Sequence, residues 1–360
     1  MKYLGLSFGL LLLTFFSSAQ ELVKRIILVG DAGEINVKQS SLLHEAASLV
    51  KEDSTLVFFL GDNIYPSGMA LEGVEREEGI KSLHSQFEVF RSLDVPVYFM
   101  AGNHDWNVSR PGGLERLVAQ EKYLNSQEDK DIRFIPPAGE PGPVSINVSD
   151  EIVVIAYDSE YWLYPYHPES ENLEIARKGF SEKLTLLFEE NKDKTVLVLS
   201  HHPMVTYGEH SLIFGWKQHV FPLTRIHKNL YIPLPVIGSI FPLWRGHLFD
   251  SSEDLPSKQY QELIKTIMQA KGDHPNVLFA AGHDHGLQYI DTGNIKQVVS
   301  GSGSKTSFII NHKDLKYKYQ QQGFSILDCL DNGDVLLAYY TVQNSKAVKA
   351  YEVRIDKVLE

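Results

Sequence analysis

Five short motifs combine aspartate, asparagine, histidine and tyrosine, and each follows an apolar run directly, next to a glycine or a serine. In chain order they are Gly30-Asp31-Ala32-Gly33, Gly61-Asp62-Asn63-Ile64-Tyr65, Gly102-Asn103-His104-Asp105, Ser200-His201-His202-Pro203 and Gly282-His283-Asp284-His285-Gly286. Such a mixture of oxygen ligands and imidazoles suits iron, zinc or manganese better than calcium or magnesium. Two ions about 3.5–4 Å apart can hold a phosphoryl group from both sides. Any one motif alone is more often a turn or a helix cap, so the interpretation depends on the joint occurrence of all five.

The apolar runs that precede the motifs have the length and continuous apolarity of buried strands. These runs are Val23–Val29, Leu56–Leu60, Val95–Met100, Val196–Leu199 and Val277–Ala281. Between them, apolar residues at helical spacing predict helices over 39–53, 79–93 and 179–192. Alternating strands and helices favour a largely parallel sheet, in which ligands bind beyond the carboxyl ends of the strands. We therefore expect all five motifs to meet at one rim.

The last third of the chain has a different pattern. Apolar runs over 287–290, 297–299, 324–330 and 335–342, joined by short turns, predict antiparallel strands that complete a second sheet. The single cysteine, Cys329, lies in one of these runs and is predicted to be a small buried hydrophobe.

The motifs resemble those of the calcineurin-like metallophosphoesterases, and most closely those of the purple (tartrate-resistant) acid phosphatases. Gly33 stands where most of that superfamily has a histidine, and Tyr65 follows Asp62 by three residues, as in the purple enzymes. The stretch from His283 to Tyr289 and the pair Glu209-His210 also resemble the tartrate-resistant group. The resemblance implies an α/β fold of the metallo-dependent phosphatase type, a four-layer α/β/β/α sandwich with two mixed sheets flanked by helices.

The same resemblance implies a set of ligands for two metal ions that share Asp62. The first ion would take Asp31, Tyr65, His285 and Asp62, and the second would take Asp62, Asn103, His201 and His283. Fe(III) is implied at the Tyr65 site, and iron, zinc or manganese at the other. His104 and His210 are the candidate proton donors to the leaving group. Asp105 is either a residue that orients His104 or a turn-capping aspartate.

The implied activity is hydrolysis of phosphate monoesters, with a hydroxide generated on the metals as nucleophile. One alternative is a phosphodiesterase that acts on nucleotides or lipid head groups. Another, from a different class, is a non-catalytic binding protein that is stabilised by its metals. The net charge of −12 disfavours nucleic acid as a partner, so a small phosphorylated substrate is expected. The sequence leaves the oligomeric state open.

Two segments fall outside the motif pattern. Residues 1–19 have a basic start, an apolar run and small residues before Gln20, which predicts a secretory signal peptide and a secreted or periplasmic enzyme domain over 20–360. Residues 211–260 form an apolar, proline-rich insertion with three interpretations: a loop packed on the core, a lid over the site, or a contact surface for a membrane or a partner. As a lid, the insertion would bring Arg245 and His247 to the substrate.

Overall fold

The computed structural model describes residues 20–127, 131–168, 172–213, 220–221, 223, 230–234 and 251–359. The predicted signal peptide lies outside these residues, as do most of the predicted insertion, Arg245 and His247. No helix in the described ranges combines the length and the apolarity needed to cross a bilayer.

Fourteen strands and six helices position the site within the described ranges. The strands are β1 (Leu22–Val29), β2 (Thr55–Phe59), β3 (Val97–Phe99), β4 (Ile132–Phe134), β5 (Val144–Asn147), β6 (Ile152–Ala156), β7 (Thr195–Leu199), β8 (Val277–Ala281), β9 (Leu287–Asp291), β10 (Lys296–Ser300), β11 (Leu315–Tyr319), β12 (Gly323–Leu330), β13 (Val335–Gln343) and β14 (Lys346–Ile355). The helices are α1 (Val37–Ser48), α2 (Gly73–Arg91), α3 (Gly113–Asn125), α4 (Ser159–Leu163), α5 (Leu173–Glu190) and α6 (Lys258–Lys271), with a short 3-10 helix at Glu209–Ser211.

The strands form two mixed sheets of seven strands each. The first has the order β14-β13-β12-β1-β2-β3-β4, and the second has the order β11-β9-β10-β8-β7-β6-β5. Strands β1 to β4 run parallel to one another, as do β6, β7, β8 and β10. The remaining pairs are antiparallel. The parallel strands of both sheets carry the five motifs.

Alternate side chains of the central strands pack on opposite faces of each sheet. Ile26 and Leu28 of β1 point into the core between the sheets, whereas Ile27 and Val29 pack against α1, α2 and α3. On the other side, Val153 and Ile155 of β6 pack against α5 and α6. Successive strand residues face opposite sides of a sheet, so continuous apolar runs are required where both faces are covered. The predicted four-layer α/β/β/α sandwich is confirmed.

The five predicted strands and three predicted helices are present, with ends that differ by up to six residues from the predicted ones. The expectation that the C-terminal strands complete a second sheet holds only for the runs that form β9 and β10, which the unpredicted strand β11 joins. Strands β12 to β14 instead extend the first sheet, because β12 pairs antiparallel with β1. Cys329 lies on β12 and is fully buried, as predicted.

Candidate metal centre

The five motifs lie at the carboxyl ends of five parallel strands and meet at the rim where the two sheets face each other. Asp31, Asp62 and Asn103 follow β1, β2 and β3 of the first sheet. His201 and His283 follow β7 and β8 of the second. The backbone amide of His283 donates to Asp31 Oδ2 at 2.9 Å, which joins the two sheets at the site. The structure therefore brings together side chains from all five motifs.

Three of the other predicted ligands surround the hydroxyl of Tyr65. This oxygen lies 3.2 Å from Asp31 Oδ1, 2.9 Å from Asp62 Oδ2 and 3.2 Å from His285 Nε2. His285 Nε2 is in turn 3.5 Å from Asp31 Oδ1. The distances match the ligand set that the family resemblance implies for the first ion.

The other predicted ligands form a second group around the amide oxygen of Asn103. His201 Nε2 lies 3.0 Å from Asn103 Oδ1 and 3.4 Å from Asp62 Oδ1. His283 Nδ1 lies 3.2 Å from the same amide oxygen. Asp62 thus contributes one carboxylate oxygen to each group.

Hydrogen bonds on the far side of both imidazoles fix which nitrogen is free of a proton. His201 Nδ1–H donates to the carbonyl oxygen of Leu60 at 2.7 Å, and His283 Nε2–H donates to that of Glu253 at 3.0 Å. The nitrogens that face Asn103 are therefore acceptors when these rings are neutral. Two imidazole nitrogens, an amide oxygen and a carboxylate oxygen then converge with no proton to share, an arrangement that a cation stabilises.

Several ligand candidates have strained backbones. Asp31, Asp62 and His283 have positive φ values of 57°, 55° and 67°, in the left-handed region that disfavours side chains with a Cβ. Such conformations persist only where the surrounding structure holds them, and they concentrate at functional sites.

Burial and the surrounding charges shift the pKa values of Asp31 and the shared Asp62 in opposite directions. Burial, opposed by His201 and aided by the charge of Asp62, raises the pKa of Asp31 to about 8. Burial also acts against ionisation of Asp62, but attraction to His104 and His201 lowers its pKa to about 2. The pKa of the Tyr65 phenol is raised well above its usual value by burial and then by both carboxylates. Bound cations would reverse these effects, because they favour the charged forms.

Buried acids and histidines form compact groups here that could hold a metal ion, one of them Asp31, Asp62 and His201.

His104 lies beside the shared carboxylate, where its backbone amide donates to Asp62 Oδ1 at 2.9 Å. Its ring Nδ1–H donates to the carbonyl oxygen of Pro66, and Nε2 lies 3.8 Å from Asp62 Oδ2. Asp105 does not contact the His104 ring; its carboxylate accepts from the backbone amides of Gly102 and Asn63 at 2.8 and 3.1 Å. Of the two interpretations of Asp105, the structure favours the turn-capping aspartate.

His210 lies over the second group, with its ring centre 3.8 Å from that of His283. Its Nδ1–H donates to Asp254 Oδ1 at 3.1 Å, and its carbonyl oxygen accepts from the amide of Leu255 at 2.9 Å. The chain therefore returns to the site at the end of the predicted insertion. Asp254 was not predicted, because no local pattern links it to a histidine 44 residues earlier.

Lys305 supplies a positive charge at the Tyr65 side of the site and was also missed. Its ammonium lies 3.8 Å from the centre of the Tyr65 ring and 3.3 Å from Glu34 Oε2. The preceding segment is held against β1, since the amide of Ser304 donates to the carbonyl oxygen of Asp31 at 2.9 Å. A signal was available, because Gly301–Lys305 follows an apolar strand in the same way as the five motifs do.

The glycine that replaces the superfamily's usual histidine is required by a close backbone approach. A Cβ at Gly33 would lie 2.5 Å from the carbonyl carbon of Asn63 and 2.6 Å from the carbonyl oxygen of Asp62. Trp106, which directly follows Asp105, is fully buried and its indole N–H donates to Asp158 Oδ2 at 2.9 Å, so it belongs to the core.

These features define a metallophosphoesterase-type fold with a rim able to hold metal ions. A sequence model of the family described as calcineurin-like phosphoesterase matches residues 24–232, and the chain belongs to this family. No curated protein sequence matches the chain.

Two solved structures are similar in fold. GAP50, described as the anchor in the inner membrane complex of Plasmodium, is 13% identical with a TM-score of 0.57, over 94% of this chain and 90% of that one. The purple acid phosphatase PPD1 from yellow lupin seeds is 15% identical with a TM-score of 0.53, over 92% of this chain. The match spans 53% of the plant enzyme, about half of its length.

Proposed function

We propose that this phosphoesterase hydrolyses phosphate monoesters at a dinuclear metal centre, in the manner of the acid phosphatases. The observation that carries the proposal is the presence of two groups of possible ligand atoms that share Asp62. One group surrounds the Tyr65 hydroxyl and the other the Asn103 amide oxygen, and neighbouring atoms within each group lie within 3.5 Å of one another. Residues 1–19 support a secreted or periplasmic location, and the net charge of −12 supports a small substrate rather than nucleic acid.

The residues present fit two cations. Asp31, Tyr65, His285 and Asp62 would hold one, and Asp62, Asn103, His201 and His283 the other. A phenolate favours Fe(III) at the first position, and the second set suits iron, zinc or manganese. When bound, such cations lower the pKa of water and neutralise the charge of phosphoryl oxygens.

His104 and His210 flank the centre and would manage the leaving group. As a new P–O bond forms to the attacking water oxygen, the ester P–O bond breaks and the departing alkoxide takes a proton from an imidazolium. His104 is anchored through Nδ1 to Pro66, so its Nε2 can deliver this proton. His210 has the same arrangement, with Asp254 as the acceptor that fixes Nδ1–H.

Lys305 would help to bind the phosphoryl group. A monoester dianion needs local positive charge, since the protein as a whole is acidic. The Lys305 side chain is 30% exposed and its ammonium lies against the Tyr65 ring, so it can approach the outer phosphoryl oxygens from the side of the first cation.

The test is steady-state hydrolysis of p-nitrophenyl phosphate against bis-p-nitrophenyl phosphate, with iron and then zinc or manganese supplied. Asp62→Asn is the inactivating variant, and Asp356→Asn, at a carboxylate with 75% exposure, is the matched control. A preference for the monoester that disappears only in Asp62→Asn supports the proposal. A preference for the diester would assign phosphodiesterase chemistry to the same centre and direct attention to the insertion.

A non-catalytic role is the second candidate, because the fold matches an anchor protein along most of both chains. Under this alternative the metals stabilise the rim, and the insertion over 211–260 provides a contact surface for a membrane or a partner. Metal-loaded protein that hydrolyses neither ester would support this candidate over the enzyme.

A further inference from the structure

A second cluster of polar side chains lies beyond the Asn103 group, and the two predicted metal sites do not use it. It consists of His202, Glu160, Ser109 and Glu253. The side chains of His202 and Glu160 are both 0% exposed, and His202 Nε2 lies 3.7 Å from Glu160 Oε2. Within the described ranges, neither of these two atoms has a hydrogen-bond partner.

The other polar atoms of the pair are engaged and fix its orientation. His202 Nδ1 is hydrogen-bonded to Ser159 Oγ at 2.8 Å, and Glu160 Oε1 accepts from the hydroxyl of Ser109. The imidazole and the carboxylate are therefore held with one unused atom each, and these atoms face one another. Buried polar atoms without a partner are unfavourable, because they lose their hydrogen bonds to water and gain none within the protein.

The separation of the two unused atoms fits a shared cation better than a direct bond. A distance of 3.7 Å is too long for a hydrogen bond. Ligand bonds of about 2.1 Å to a metal, at ligand–metal–ligand angles of about 110–124°, separate two ligand atoms by about 3.4–3.7 Å.

The charge of the cluster also favours a bound cation. The Ser109 hydroxyl has a single proton, yet it lies within hydrogen-bond distance of both Glu160 Oε1 and, at 3.2 Å, Glu253 Oε1. Burial and then the charge of Glu253 raise the pKa of Glu160 well above its usual value. A cation between the carboxylates and His202 would relieve this repulsion.

The loop that supplies Ser109 is strained. Asn107, Val108 and Ser109 have φ values of 60°, 54° and 51°, three consecutive residues in the left-handed region. For a β-branched valine this conformation is costly, and it persists only where the surroundings impose it. Contact of Ser109 with the buried Glu160 is one constraint on this loop, and the backbone amides of Asn107 and Val108 are also held by the carbonyl oxygens of His104 and Asn103.

We propose that His202 Nε2 and Glu160 Oε2, with the Glu253 carboxylate nearby across Ser109, hold a third cation, distinct from the two that share Asp62. One imidazole with two carboxylates suits a divalent zinc or manganese ion. The site would fix the position of Glu253 and of the next residue, Asp254. The carbonyl oxygen of Glu253 accepts from His283 Nε2, and the carboxylate of Asp254 accepts from His210 Nδ1. The proposal goes beyond the hydrolytic function and does not depend on it.

The test is metal content per chain after dialysis of chelator-treated protein against zinc or manganese. We expect three equivalents in the parent and two in Glu160→Gln. Glu262→Gln, at a carboxylate with 50% exposure, is the matched control and should keep all three. A folded Glu160→Gln that keeps as many equivalents as the parent would overturn the proposal.

Asp62→Asn separates this proposal from that of the dinuclear centre. If both hold, this variant keeps the third cation while it loses metal from the shared centre. A parent with one equivalent that is lost only in Glu160→Gln would support the third site and remove the dinuclear centre. Because Glu160→Gln could fail to fold, crystals of the metal-loaded parent provide a second readout. An anomalous scattering peak between His202 Nε2 and Glu160 Oε2 is expected, and a water or an empty gap there would refute the assignment.

Discussion

The substitution Asp31→Asn should stabilise the metal-free protein, because this carboxyl is held where its charged form is unfavourable. Its pKa is about 8, against an ordinary value of 3.8. At pH 7 the raised pKa lowers the free energy of unfolding by about 4 kcal/mol, because each pH unit between the ordinary pKa of 3.8 and pH 7 contributes about 1.36 kcal/mol. Asn retains an oxygen that can accept from the amide of His283, so the local backbone contact is kept.

The sign of the pH dependence follows from the raised pKa. The folded state binds a proton at Asp31 that the unfolded state has released, so this contribution is fully present below about pH 4 and is lost as the pH rises towards about 8. The variant has no such group. Its advantage over the parent should therefore widen between pH 4 and pH 8.

The assay is thermal unfolding in a chelator and then with zinc or iron. Unfolding entropy of about 2.1 cal/mol/K per residue gives about 0.7 kcal/mol per degree for this chain, so the variant should melt about 4–7 °C above the parent in chelator. With metal this advantage should disappear, because a cation at 1,000 times its Kd stabilises the parent by about 4 kcal/mol, which offsets the cost of the buried carboxylate.

Asp328→Asn is the matched control, since it makes the same chemical change at a carboxylate that is already paired. Asp328 accepts from Arg25 Nε and Nη2 at 2.7 Å, so its loss should lower the melting temperature with and without metal. A lower melting temperature for Asp31→Asn in chelator, or an advantage of the variant that metal does not reduce, would refute the reasoning that Asp31 is poised for a cation.

Three further outcomes are expected. Gly33→His should not restore the usual metal ligand of the superfamily, because its Cβ would lie 2.5 Å from the carbonyl carbon of Asn63. We expect a loss of about 1–3 kcal/mol in unfolding free energy together with lower metal content. Unchanged values for both would contradict this. Tyr65→Phe should abolish the visible absorption of the iron-loaded protein and weaken iron binding, and retention of the colour would exclude the phenolate as a ligand. His104→Gln and His210→Gln should reduce hydrolysis of an alkyl phosphate about 10²- to 10⁴-fold while affecting p-nitrophenyl phosphate far less, because only the alkoxide needs a proton; an equal loss on both esters would exclude an acid role for that residue.

Much of the centre follows from local patterns in the chain. Buried strands read as continuous apolar runs, and the residue after each run, such as Asp31 or His201, is delivered to the carboxyl edge of its sheet. The C-terminal strands were harder to assign. Their turns fixed antiparallel pairing between neighbours, but only long-range pairing of β12 with β1 decided which sheet they extend.

The sequence by itself determined the family through its five motifs, and the layer architecture followed from that resemblance. The strand pattern determined that side chains of the five motifs meet at one rim. Only the tertiary structure decided what surrounds them. Ser109 meets Glu160 across 51 residues and Glu253 across 144, and Asp254 holds His210 across 44. These contacts arise from loops whose course is set by packing of the whole sandwich, and no local period encodes them. The same holds for Gly33, whose need for a bare backbone appears only when β1 and β2 bring their ends together.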